Sequence, residues 1–267
     1  VSLAIDPRNI DKPLELTLIP PGASLASFRR VLLEPWGLLC RNPNDPSTCM
    51  TFLLLLKNSL IVALGTSLIA VLLGASAAYA FSRFNFVGRQ AGMLAFIVLL
   101  MLPASATLAP LFVLLSQVRI GDESLRLTLV GLMLAYGSGT LPFAIWNLKG
   151  YFDTVPRELE EAARIDGASM AQTFLRIILP LSVPAIAVTI LFAFMQGWTE
   201  FILAWTFLEN PSRFTLAMAL RSMQGQFATP WSDFAAMSIL MSIPIVLLFF
   251  ALQRYLVSGL TVGGVKG

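Results

Sequence analysis

Side chains that carry out acid–base, nucleophilic or metal chemistry are scarce in this sequence of 267 residues. Histidine is absent, so the commonest metal ligand and every nucleophile–histidine pair are missing. No Gly-Lys pair occurs, which excludes the phosphate-binding loop of ATPases. Neither of the two cysteines, Cys40 and Cys49, has a candidate base beside it. We therefore predict a chain with no catalytic residue, no metal site and no cofactor of its own.

One long polar segment, residues 150–178, has the pattern of a helical hairpin. Thr154 suits the N-cap of a first helix, and the glutamates that follow complement the positive helix end. Gly167 predicts the end of that helix, and Ser169 with Gln172 predicts a capping box that opens a second helix. Each helix is predicted to have an apolar face. The faces are Leu159, Ala162 and Ala163 in the first, and Met170, Phe174, Ile177 and Ile178 in the second.

Small side chains in this hairpin, Ala162, Ala163 and Ala168, let another surface approach the backbone closely. The flanking charges would fix the register of whatever binds there. On these residues alone two interpretations stand. One is a docking element for a partner, and the other is an amphipathic hairpin that lies on a membrane surface.

The elements around the hairpin are far too apolar for a soluble protein. Apolar residues make up 57% and charged residues 12% of the chain, whereas soluble domains carry about 25% charged residues. Five stretches without charge reach the roughly 20 residues that a helix needs to cross a bilayer. They cover residues 58–82, 90–118, 127–148, 177–199 and 234–253. We predict an all-α, polytopic transmembrane bundle.

The residues at the ends of these stretches predict how the chain is oriented in the membrane and where a further span is expected. Residues 1–5 resemble the end of an apolar run, so we expect a sixth span upstream of Val1. Eight Lys and Arg residues lie on the side of residues 149–176, against four in the short opposite loops. The positive-inside rule makes the first side cytoplasmic, with residues 1–57 outside and the C-terminus inside. The net charge of +3 forms no basic stripe, which excludes nucleic acid as a partner.

The predicted outer segment contains both cysteines. An oxidising compartment permits a disulfide between Cys40 and Cys49 across a short turn-rich loop, RNPNDPST. The alternative is a pair of unbonded thiols.

Glu200 is the one acidic residue of the otherwise apolar run 177–208. Because a charge within a bilayer is costly, such a residue faces a cavity or a partner, or lies at the interface. Two interpretations follow: Glu200 lines a translocation path, or it contacts headgroups near the outer surface. Further candidates for lining a path are Gln196, Trp198, Tyr136 and Asn147.

The hairpin also contains a recognisable motif. Residues 161–180 show EAA, three residues, G, nine residues, I, one residue, and LP. This is the EAA motif of permease subunits in binding-protein-dependent ABC importers, which the chain resembles over nearly its whole length. The segments GYFDTVPRELEEAARIDGAS and LVSGLTVGGVKG resemble in particular the second, smaller permease subunit of importers for maltose, maltodextrins and related oligosaccharides.

This resemblance implies the type I importer permease fold in a bacterial inner membrane. It implies a larger homologous permease subunit, an ATPase dimer that binds ATP and magnesium, an external solute-binding protein and a carbohydrate substrate. It assigns residues 58–267 to the permease domain and the hairpin at 150–178 to ATPase coupling. The coupling residues it implies are Glu161, Ala162, Ala163, Asp166, Gly167, Ala168, Ile177, Leu179 and Pro180.

Two further sites come from the resemblance. It implies that the tail Gly264, Val265, Lys266 and Gly267 enters the ATPase interface, whereas an ordinary frayed terminus is the alternative. It also implies that the loop 209–232 contacts the binding protein through Gln224, Gln226 and Trp231. A purely structural connection is the alternative for that loop.

Substrates other than maltodextrins stay open at this point, namely trehalose and glycerol phosphates. Other classes of protein fit less well. An ion-coupled carrier would carry several acidic groups within its spans and no docking hairpin. An intramembrane enzyme would show paired carboxylates or histidines in its spans, which this sequence does not.

Overall fold

The computed structural model describes residues 24–34, 36–40, 49–224 and 229–263, most of which are helical. The predicted all-α class is confirmed. In chain order the helices are α1 (Ala26–Leu33), α2 (Phe52–Arg83), α3 (Arg89–Met101), α4 (Ala104–Gln117), α5 (Leu129–Phe152), α6 (Glu158–Ile165), α7 (Met170–Thr173), α8 (Leu179–Leu181), α9 (Val183–Thr199), α10 (Ile202–Phe207), α11 (Leu216–Ser222) and α12 (Trp231–Gly263).

Two small antiparallel ribbons, which the sequence did not predict, accompany the helices. Strand β1 (Trp36–Cys40) pairs with β2 (Cys49–Met50). Strand β3 (Arg119–Ile120) pairs with β4 (Glu123–Ser124) across a tight turn, where Gly121 adopts a φ of 64°. These ribbons are too short to change the fold class.

Within the described part of the chain, three helices are long and apolar enough to cross a membrane, namely Phe52–Arg83, Leu129–Phe152 and Trp231–Leu256. Two further segments reach that length only as bent pairs of helices. They are Arg89–Met101 with Ala106–Gln117, bent by 106°, and Met170–Leu181 with Val183–Thr199, bent by 79°. The five predicted spans therefore correspond to three continuous helices and two bent pairs.

Proline lies at both bends. Pro103 follows Leu102, whose extended ψ of 134° ends α3, as expected for a residue before proline. Pro180 follows a π-helical turn, Phe174–Ile178, and the helix breaks soon afterwards at Ser182. Because proline donates no N–H and its ring crowds the preceding turn, a widened turn and a break are the expected responses.

The described residues form two compact units, each assembled from three separate stretches of the chain. The first takes its described residues from 24–62, 118–132 and 198–247, and the second from 63–117, 133–197 and 248–263.

In the first unit, side chains hold loops by bonding to backbone carbonyls. The Asn58 amide donates to the carbonyls of Ser212 and Phe214, at 2.9 Å each. Arg126 reaches the Phe207 carbonyl and the Glu209 carboxylate at 2.9 and 2.7 Å. These contacts tie the segment after α10 to neighbouring helices.

In the second unit, α2 and α5 pack through small residues. A Cβ placed on Gly74 would lie 2.8 Å from the Cβ of Ala144, and one on Gly137 would lie 2.8 Å from Ile69 Cγ2. Small residues allow helix backbones to approach in this way within a membrane. The core of this unit includes Ala75, Ala78, Tyr79, Leu148, Phe152, Val155, Ile178 and Ala185.

Candidate functional site

The first helix of the hairpin, α6, begins at Glu158 and carries three glutamates in its first turn, where they complement the positive helix end. The predicted N-cap at Thr154 is wrong. Helix α5 continues to Phe152, and the Thr154 hydroxyl donates to the Tyr151 carbonyl at 2.7 Å, so Thr154 belongs to the end of α5.

The turn between the two helices of the hairpin forms where the sequence predicts it. Gly167 adopts a φ of 85°, a left-handed conformation that L side chains rarely take. The Ala168 N–H then donates to the Ala163 carbonyl at 2.9 Å and closes the end of α6. The predicted capping box is confirmed, since the Ser169 hydroxyl accepts from the Gln172 N–H while the Gln172 amide oxygen accepts from the Ser169 N–H.

A buried ion pair fixes α6 to the end of α2. The Glu160 carboxylate accepts from Arg83 Nε through one oxygen and from the Tyr79 hydroxyl, at 2.9 Å, through the other. The side chains of Arg83 and Glu160 are only 7% and 3% exposed. Arg83 also donates to the Val155 carbonyl at 3.0 Å. Both charges are therefore paired and hydrogen-bonded, as a buried ion pair requires.

The sequence analysis missed this pair, and of the predicted apolar face of α6 only Ala163 is buried. Glu160 and Ala163 are the buried residues of the helix, whereas Leu159 is 43% exposed and Ala162 is exposed. Glu160 is buried because Arg83, at the end of α2, offers its carboxylate a charged partner. Leu159 is left on the exposed side of α6. Two features of the sequence could have indicated this pair. Arg83 lies at the end of a predicted span, and Glu160 lies three residues before Ala163, on the same side of the helix.

A second polar contact joins the end of α2 to the end of α5. The Ser82 hydroxyl donates to Asp153 Oδ1 at 2.6 Å, and Lys149 Nζ donates to Asp153 Oδ2 at 2.5 Å. Burial raises the pKa of Asp153, but the hydrogen bonds from Lys149 and Ser82 outweigh that effect and hold the pKa below its usual value. Asp153 therefore stays ionised at neutral pH.

The face of the hairpin that points away from α2 is exposed. Among the residues matched by the EAA motif, Glu161, Ala162, Asp166 and Gly167 are exposed, whereas Ala163 is buried and Ala168 is half-buried. Apolar side chains accompany them, with Ile165 at 87% exposure and Met170 at 45%. This face of the hairpin therefore exposes both carboxylates and apolar side chains.

The second half of the motif leads into the bent pair α8 and α9. Ile178 is fully buried, whereas Ile177 and Leu179 are half-buried and Pro180 is exposed. Of the predicted apolar side of the second helix, Ile178 is therefore buried, whereas Met170 is exposed.

Two of the candidates for lining a path belong to the core. Trp198 and Tyr136 are 0% and 1% exposed, and Trp198 Nε1 donates to the Met241 carbonyl at 3.0 Å. Neither side chain has exposed surface in this structure, and their place along a path stays a prediction. Asn147 joins two helices, since it donates to the Ala185 carbonyl and the Thr189 hydroxyl at 3.0 and 3.1 Å. Gln196 is exposed.

Glu200 has a local role that neither of its predicted interpretations included. Its Oε1 accepts the backbone N–H of Ile202 at 2.7 Å, and its Oε2 accepts that of Leu203 at 3.1 Å. These donors belong to the first turn of α10. The carboxylate thus satisfies N–H groups that a helix start leaves open and complements the positive helix end.

The predicted outer sites are described only in part. The Gln224 amide oxygen accepts from Arg221 at 2.5 Å, and Trp231 is 52% exposed. Gln226 and the tail Gly264, Val265, Lys266 and Gly267 lie outside the described residues.

The backbones of the two cysteines lie side by side. Cys40 lies opposite Cys49 in the β1–β2 ribbon, and Cys49 is disulfide-bonded. The bond from Cys49 to Cys40 stays a prediction, because the Cys40 side chain lies outside the described part of the chain.

Comparison with solved structures identifies the fold. A bacterial ABC transporter involved in the import of the acidic polysaccharide alginate matches 95% of this chain and 86% of its own chain, with a TM-score of 0.73 and 18% identity. The methionine ABC transporter MetNI matches 76% of this chain and 93% of its own, with a TM-score of 0.59 and 15% identity. The fold is that of a type I ABC importer permease.

Sequence comparison identifies the family. Residues 70–262 match the family of the binding-protein-dependent transport system inner membrane component. The maltodextrin transport system permease protein MdxG of Bacillus subtilis is 40% identical over 79% of this chain and 74% of its own length. The maltose/maltodextrin transport system permease protein MalG of Vibrio vulnificus is 36% identical over 94% of this chain and 84% of its own.

The chain belongs to this family of binding-protein-dependent transport components. It is a multi-pass inner membrane permease subunit of an ABC importer, and ATP hydrolysis is the task of a separate subunit.

Proposed function

We propose that the substrate is maltose or a maltodextrin and that the chain forms half of the translocation path. The names of MdxG and MalG, both at least 36% identical over most of this chain, support that substrate class. In this proposal a larger permease subunit forms the other half of the path, and an external solute-binding protein delivers the sugar.

The single observation that carries the coupling role is the two-sided construction of the hairpin. One face of α6 is fixed to α2 by the buried pair Arg83–Glu160. The other face leaves Glu161, Asp166 and Ile165 exposed. Such an element transmits force, because a partner that moves the exposed face also moves the helix to which the buried face is attached.

The partner on the exposed face is, in this proposal, an ATPase subunit that binds ATP and magnesium. Closure of the ATPase dimer would draw the hairpin inward and rock the spans as rigid bodies, a form of alternating access. Glu161 would pair with a basic or N–H-rich cleft of the ATPase. The tail 264–267 would enter the same interface.

The proposed orientation follows from these partners. The hairpin at 150–178 and the C-terminus lie in the cytoplasm, and residues 1–57 form an outer segment. Residues 58–267 then form the permease domain. In this arrangement the loop 209–232, with Gln224, Gln226 and Trp231, faces the binding protein.

Reconstitution of the complete transporter tests the proposal. We expect ATP in the vesicle interior to drive uptake of labelled maltotriose in the presence of the binding protein. Trehalose and glycerol 3-phosphate, supplied at the same concentration, should be transported more slowly. Uptake that follows an ion gradient without ATP would contradict an ABC importer, and preferential uptake of trehalose would contradict the substrate class alone.

A further inference from the structure

An amphipathic groove of about 1060 Å³ lies in the second unit, between the start of α3 and the last turns of α5. It is separate from the exposed face of the hairpin. Its lining includes Asn85, Arg89, Leu94, Ile97, Trp146 and Lys149.

Polar and apolar groups are segregated along this groove. Arg89 is the first residue of α3, and Lys149 lies in the last turn of α5, so both cations mark ends of membrane-spanning elements. Ile97 lies about 12 Å further along α3 than Arg89, at 1.5 Å per residue. Leu94 and Trp146 are 62% and 52% exposed. The groove therefore combines a cationic end with an exposed apolar floor.

The cationic end keeps a net positive charge. Arg89 donates to neutral oxygens, namely the carbonyls of Phe81 and Ser82 and the Asn85 side chain, at 2.7, 3.3 and 3.1 Å. Lys149 donates to the Asp153 carboxylate at 2.5 Å, and an ammonium group has two further N–H donors. Two cations thus face one carboxylate.

We propose that this groove binds an anionic phospholipid. The phosphate would contact Arg89 and Lys149, and the acyl chains would lie along Leu94, Ile97 and Trp146. Basic pockets between spans on the cytoplasmic side favour anionic headgroups, and tryptophan prefers the headgroup level. A zwitterionic lipid offers no net charge to the cations. This inference is independent of the transported solute.

Fluorescence quenching in the assembled transporter tests this site. The complex is placed in nanodiscs of phosphatidylcholine that contain a minor fraction of either phosphatidylglycerol or phosphatidylcholine, brominated high on the acyl chain. The signal of Trp146 is the difference between the wild-type complex and the Trp146→Phe complex. We expect quenching of Trp146 to show about a fivefold preference for the brominated phosphatidylglycerol.

Variants of the cations give the matched controls. Lys149→Gln should reduce the preference about fivefold, whereas Lys149→Arg should keep it. Lys57→Gln removes an exposed cation from the start of α2, outside the groove, and should leave the preference unchanged.

Three results would overturn the proposal. One is equal quenching by the two brominated lipids in the wild-type complex, a comparison that needs no cation variant to fold. Another is complete protection of Trp146 from both lipids, which would assign the groove to a neighbouring subunit. The third is loss of the preference on addition of inorganic phosphate, which would indicate a site for free phosphate.

Discussion

Glu160 and Arg83 are separated by 77 residues in sequence and form an ion pair in which each side chain is more than nine-tenths buried. Tyr79 completes the arrangement by donating to the second carboxylate oxygen. The pair joins the end of a membrane-spanning helix to the first turn of α6. The position of the exposed EAA residues therefore depends on a contact that lies outside the motif.

Removal of one partner should destabilise this junction strongly. Glu160→Ala leaves the Arg83 guanidinium buried without a counter-charge, and we expect a loss of about 3 kcal/mol in the free energy of unfolding. Arg83→Met combined with Glu160→Ala should recover more than half of that loss, since no charge is then stranded. Denaturant unfolding of the detergent-solubilised complex measures both changes.

The matched control for the pair is Glu158→Ala, which removes an exposed carboxylate from the same turn of α6 and should change the free energy of unfolding by less than about 0.5 kcal/mol. Additive losses in the double variant would contradict a coupled pair.

Glu161 should affect function more than stability. It neighbours Glu160 in sequence but lies on the exposed face. Glu161→Lys should therefore lower the free energy of unfolding by no more than about 1 kcal/mol, the cost of a cation at a helix start, and lower the uptake obtained per ATP hydrolysed at least tenfold, a loss of about 1.4 kcal/mol in coupling. Parallel assays of uptake and ATP hydrolysis in proteoliposomes measure the ratio. Normal uptake by this variant would contradict a docking role for the face.

The hairpin turn requires glycine because of its backbone conformation, and not because a side chain would clash with a neighbour. A Cβ at Gly167 would meet no atom within 4 Å, yet the φ of 85° is costly for any L side chain. We expect Gly167→Ala to destabilise the hairpin by about 1 kcal/mol. Gly150→Ala, at a helical and equally open glycine, should instead be neutral or stabilising by about 0.5 kcal/mol. Hydrogen exchange of the α6 amides distinguishes the two variants.

Asp153 gives the junction a dependence on pH. Its folded-state pKa is lowered, so its contribution to stability is fully present above the ordinary aspartate value of about 3.9 and is lost as the pH falls through the lower, folded-state value. Asp153→Asn should therefore lower the thermal unfolding midpoint at pH 7 and have a smaller effect at pH 3. Asp122→Asn, at an exposed aspartate, serves as the control. An equal effect of Asp153→Asn at both pH values would contradict this account.

Local features of the hairpin were predictable because neighbouring residues determine them. The Gly167 turn and the Ser169–Gln172 capping box each depend on side chains within a few positions of one another. The five membrane spans were predictable for a similar reason, since the length of an apolar run alone decides whether it can cross a bilayer.

Long-range features were not predictable in this way. The burial of Glu160 depends on Arg83 at the end of another helix, and helical periodicity in α6 alone favoured Leu159. The bends of 106° and 79° depend on packing around the breaks, although the prolines that permit them are visible in the sequence. The burial of Trp198 likewise depends on its neighbours in the fold, which its residue type does not reveal.

Glu200 provides a test between a helix cap and a path-lining charge. Because its carboxylate accepts the N–H groups of Ile202 and Leu203, Glu200→Ala should cost about 1 kcal/mol of stability. Glu200→Gln, which keeps an acceptor oxygen at the same reach without the charge, should restore most of that stability and leave the KM for uptake unchanged. A path-lining carboxylate predicts a different result, namely that both variants alter KM to a similar extent because both lack the charge. Measurement of KM and of the unfolding midpoint for both variants in the reconstituted transporter therefore decides between the two roles.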